Sequence, residues 1–68
     1  MKAQSIEGWK NKYCTDSTPS LAHTLICIDE LFVRKVKDGF TDNYYTPENL
    51  SNEYEAVEQL LIERGYYE

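Results

Sequence analysis

Apolar residues recur along this chain at helical spacing, in three stretches parted by polar turns. The middle stretch carries the strongest signal. At about 100° per residue, Leu21, Leu25, Ile28, Phe32 and Val36 fall on one stripe, which Ala22, Ile26 and Val33 widen. The β-formers of "TLICI" favour a strand. Strict alternation, however, would put Arg34 on the face of Ile28 and Phe32, and Asp29 on that of Leu25 and Leu31. A helix over about 19–37 is therefore predicted, with Thr18 as cap, Pro19 at its first position, Lys35 and Lys37 at its negative end and Gly39 as terminator.

The last stretch opens in the same way, on Thr46-Pro47-Glu48, with Ser51 an alternative cap one turn later. Leu50, Tyr54, Val57 and Leu61 then step along one face, and Gly65 follows Arg64 as a stop, which predicts a helix over about 47–64. The first stretch, about 5–14, is weaker: Ser5 caps it and Ile6, Trp9 and Tyr13 share a face, but Gly8 lies within it. The expected fold is mostly α, one small domain over 1–68. In it an antiparallel αα-hairpin is joined by loop 38–46, and a short N-terminal helix or arm is laid across the pair. The Asp38-Gly39 pair inside "VRKVKDGFTDNYYT" leaves open an α+β alternative with a β-hairpin there.

Length and composition change this picture little. Sixty-eight residues of which 41% are hydrophobic supply one modest core. The chain has neither an apolar run long enough to span a membrane nor, in "MKAQSIEGWKNKY", a secretory leader, so a cytoplasmic protein is expected. In that compartment Cys14 and Cys27 are expected as reduced thiols, and the "NLS" sequon at 49–51 is idle. No Cys-x-x-Cys pair occurs, and His23 alone does not complete a zinc site, so neither metal nor cofactor is expected.

Charge is more informative. Through Lys37 the chain carries six basic and four acidic residues; from Asp38 onward it carries eight acidic residues and only Arg64. The acidic half disfavours nucleic acid and anionic lipid and favours a protein with a basic surface. Within that half, Glu48, Glu55 and Glu58 fall on one side of the third helix, within about 80° of arc.

Exceptions to the amphipathic pattern complete the list of candidate residues. Asp29 sits inside the apolar arc between Leu25 and Val33, which predicts a buried, paired carboxylate, a functional acid or a polar contact at an oligomer seam. Ile62 projects among Glu55, Glu58 and Gln59, a greasy centre in an acidic rim, unless the N-terminal segment covers it. Tyr44-Tyr45 and Tyr66-Tyr67 flank the third helix, one of each pair expected to pack inward and the other to meet a partner. With Asp42, Tyr44 and Tyr45 are expected at the rim of an acidic docking face.

Catalysis finds no support beyond His23 and Cys27 four apart on a helix, so an enzyme is not expected. The leading function is an acidic protein-binding module, in one version an inhibitor covering the nucleic-acid site of another protein. A self-associating protein, homodimeric through Asp29 and Ile62, is the alternative. Nucleic-acid binding by Lys2, Lys10, Lys12, Arg34, Lys35 and Lys37 beside Trp9 and Tyr13 ranks third.

Overall fold

The computed structural model describes residues 3–40 and 45–67. These form a mostly helical protein of three helices, α1 (Ile6–Tyr13), α2 (Thr18–Asp38) and α3 (Pro47–Glu63), with no strand among them. The β-hairpin alternative is not adopted there, because α2 runs on through Val33–Asp38. Asp42 and Tyr44 lie outside the described residues.

Each helix begins on a hydroxyl cap. Ser5 Oγ accepts from the Gly8 amide at 3.1 Å and Thr46 Oγ1 from that of Asn49 at 3.2 Å. At α2 the cap is Ser17, accepting from Ser20 at 3.3 Å, and not Thr18. Proline tolerates the second helical position as well as the first, since neither amide has a partner within the helix, so the helix gains one residue.

The exits of α2 and α3 use glycine. At α3 the Tyr66 amide donates to Leu61 O and the Gly65 amide to Ile62 O, both at 3.0 Å, the paired bonds of a Schellman stop. Gly65 sits at φ +75°, a conformation a β-carbon resists. Gly65→Ala is expected to lower stability by about 1 kcal/mol, roughly 4–8 °C in a circular-dichroism melt. The asparagine variant should lose less, because asparagine tolerates the left-handed region.

α3 is the central element. It packs against both α1 and α2, and seven of its residues are buried against two from α2 and one from α1. The apolar side (Leu50, Val57 and Leu61) faces Leu21 and Ile28 of α2. The next side carries Asn49, Glu53, Ala56 and Leu60, and α1 covers it. There the indole N–H of Trp9 (2% exposed) donates to Asn49 Oδ1 at 3.1 Å, and the Tyr13 hydroxyl to Glu53 Oε2 at 2.5 Å. At its far end Lys10 Nζ bonds Glu63 Oε2 at 2.7 Å, a bond that raises the lysine above its ordinary pKa.

Directions follow from the same contacts. Gln4 meets Asn49 and Asn52 while Cys14 O accepts from Arg64, so α1 runs with α3. Arg64 Nη1 also reaches Thr18 Oγ1 at 3.2 Å, and at the opposite end Phe32 shares a groove with Pro47 and Leu50, so α2 runs against α3.

Candidate functional site

With α1 on one side of α3, the seam between α2 and α3 on the other side is uncovered. It forms an open groove of about 660 Å³. Ile28, Phe32, Leu50 and Tyr54 make its apolar floor, and Glu48, Glu55, Glu58 and Asp29 are the ionisable side chains in its walls other than the Tyr54 phenol. All four carry the same sign, and no lysine or arginine is among the lining residues. Carboxylates beside a low-dielectric floor concentrate negative potential, so the groove attracts cations while its floor favours apolar surface.

The helical period explains the assembly. Glu48, Glu55 and Glu58 all emerge on the groove side of α3 because seven and three residues are close to whole turns. Asp29 supplies the facing carboxylate from α2. Its predicted burial is not observed: Asp29 is exposed. The apolar arc of α2 is wider than a single packed helix can cover, so its outer part, Asp29 included, stays in water.

A second hollow continues the groove toward the chain's end, sharing Asp29 and Tyr54 and adding Ala22, Leu25, Ile26, Tyr66 and Tyr67. The last two rings meet edge to face, 5.2 Å between centroids. Neither packs inward as expected; they stand 48% and 57% exposed. The Schellman stop turns the chain off the helix axis and lays both rings on the mouth of the groove. Desolvation there, then the charge of Glu58, raise the Tyr67 hydroxyl above its ordinary pKa.

Ile62 stands one turn beyond Glu58 and is 56% exposed, left uncovered by the described part of the N-terminal segment. Tyr45 is placed differently. It packs against the core margin with Lys35 Nζ 6.0 Å above its ring, and it does not line the groove. What the sequence reading missed is the floor: Phe32 and Tyr54 read as core stripe, but they are only half-buried.

The basic first half assembles no comparable surface among the described residues. Trp9 is buried and unavailable for stacking on a base, Lys10 is bound to Glu63, and Lys12 Nζ lies 5.0 Å over the Trp9 ring. His23 Nε2 and Cys27 Sγ do meet, at 3.4 Å, but both are exposed on the side of α2 away from the groove. Cys14 and Cys27 are free and exposed. Among the described residues no three His, Cys, Asp or Glu side chains converge to hold a metal, and no helix is long and apolar enough to cross a membrane. No family model matches the chain, and no curated protein or solved structure matches it significantly.

Proposed function

We propose that this protein is a small acidic protein-binding module that docks its α2–α3 face on a cationic surface of a partner protein. The observation that carries this reading is the groove with four carboxylates in its walls, an apolar floor and no basic side chain. Glu48, Glu55 and Glu58 supply the charge along one edge, and Asp29 closes the other. Ile28, Phe32, Leu50 and Tyr54 supply the apolar contact that turns charge attraction into a stable complex. Where the cationic surface of the partner is a nucleic-acid site, the same docking makes the protein an inhibitor, its carboxylates lying where phosphates would.

The test is a tagged pull-down from nuclease-treated lysate with Glu55→Lys/Glu58→Lys beside the wild type, followed by direct binding to the purified captured protein. The wild type is expected to retain a basic protein that the reversed variant releases, with affinity falling as salt rises. Equal retention by both forms, or by neither, overturns the reading.

A further inference from the structure

The two rims of the α2–α3 groove differ in chemistry. Glu48, Glu55 and Glu58 run along the α3 rim. Apart from Asp29 the α2 rim is apolar. Ile26, Val33 and Val36 fall within about 60° of Asp29 around α2, and Val33 and Val36 are over 60% exposed. No lysine or arginine lines the groove or the hollow that extends it. A ligand that matches both rims is apolar underneath and toward α2, and cationic along the one flank that meets α3.

The walls also select a backbone. Both are helices, with their amides and carbonyls already bonded along their length, and no strand edge occurs among the described residues. An extended segment laid there would turn its N–H and C=O groups toward walls that offer no backbone partner, whereas a helix satisfies its own. Spacing points the same way. Glu48 and Glu55 lie about 10.5 Å apart along α3, and Glu58 about 4.5 Å further on. A second helix shares that rise and period, so cations three, seven and ten residues apart track all three carboxylates from one flank. An extended segment covers the longer gap in about three residues, an odd number that sends its next cation to the opposite face.

We propose that the occupant of this face is an amphipathic helix of the partner protein, about ten to fourteen residues long, with a broad apolar arc and lysines or arginines along one flank. This rests on the cationic docking reading and names the form that the cationic surface takes. The length follows from the site: Ala22 to Phe32 of α2 and Glu48 to Glu58 of α3 each span about 15 Å, ten residues of helix. The apolar arc lies on the groove floor and against Val33 and Ile26, and the cations meet the glutamates. α2, packed along one side by α3, gains a second neighbour on the other.

Fluorescence anisotropy with the full chain and three labelled fourteen-residue probes tests this. The first probe carries leucines at helical spacing and lysines on one flank. The second has the same residues reordered to alternate, and the third has glutamates in place of the lysines. The first is expected to gain helical circular dichroism on binding and to bind at least about tenfold more tightly than the other two. Val33→Glu should weaken that binding about tenfold with the helical signal of the protein itself unchanged, because Val33 is largely in water. Glu55→Lys/Glu58→Lys should weaken it as much and accept the third probe instead. Equal binding of the first and second probes, or indifference to Val33→Glu, overturns the inference. A dimer of the chain that the first probe does not dissociate also overturns it, by putting a second copy on the face. The failure of the helix is distinct from that of the docking reading. A basic protein that the charge-reversed variant releases but the first probe does not displace removes the helix alone, while an empty pull-down with no probe bound removes both.

Discussion

Trp9→Ala is expected to leave the chain without a cooperative melt. The indole is almost wholly buried and joins α1 to α3 through its bond to Asn49 Oδ1. Removing a buried tryptophan costs about 3–5 kcal/mol from packing and cavity terms together. A chain of this length has only about 3–10 kcal/mol in all. α1 adds to the loss because an eight-residue helix does not persist alone and, once undocked, exposes the second buried side of α3 to water. Far-UV circular dichroism against temperature is the check. A sigmoidal melt within a few degrees of the wild type would show that α1 is dispensable to the core. Trp9→Phe, which keeps most of the volume but not the donor, should retain a lower, still cooperative transition.

The second large effect concerns the buried carboxylate. Glu53 is 8% exposed and accepts a short bond from Tyr13. Tyr13→Phe deletes that donor and leaves the carboxylate buried, which is expected to cost about 1.5–3 kcal/mol. Replacing both partners should cost less than replacing one. In Tyr13→Phe/Glu53→Met, the desolvated charge is gone and the space stays filled, so the double variant should melt above Tyr13→Phe alone. Urea titration of the four forms gives the coupling directly. Strict additivity would mean that the bond contributes nothing and that Glu53 is solvated from another side.

These two residues also mark the limit of what was legible in the sequence. α2 and α3 could be read because their starts carry Ser or Thr before proline and their ends carry glycine, signals that act within a few residues, whereas α1 offered only the Ser5 cap and the shared face of Ile6, Trp9 and Tyr13. The three-glutamate edge could be read because it depends on the helical period alone. The position of α1 could not. The side of α3 that receives it presents Asn49 and Glu53, which read as solvated polar positions until Trp9 and Tyr13 are seen to satisfy them across 40 residues of chain. Asp29 fails for the complementary reason. A broad apolar arc implies burial only if enough neighbours exist to cover it, and α2 has just one helix packed along its length. The cap at Ser17 instead of Thr18 is a smaller miss, since both hydroxyls precede the same proline.

The central place of α3 also bears on the birth of the protein. The bonds that hold α1 and the Gln4 before it to α3, from Gln4, Trp9, Lys10 and Tyr13, end on residues made 40 to 53 positions later. At about 5–20 residues per second, α1 waits roughly 2–11 s on the ribosome before the chain that covers it has been polymerised. α2 waits too, with its wide apolar face open. The core therefore closes only once α3 has left the exit tunnel, and a ribosome stalled before Leu61 holds out a nascent chain that cannot yet fold.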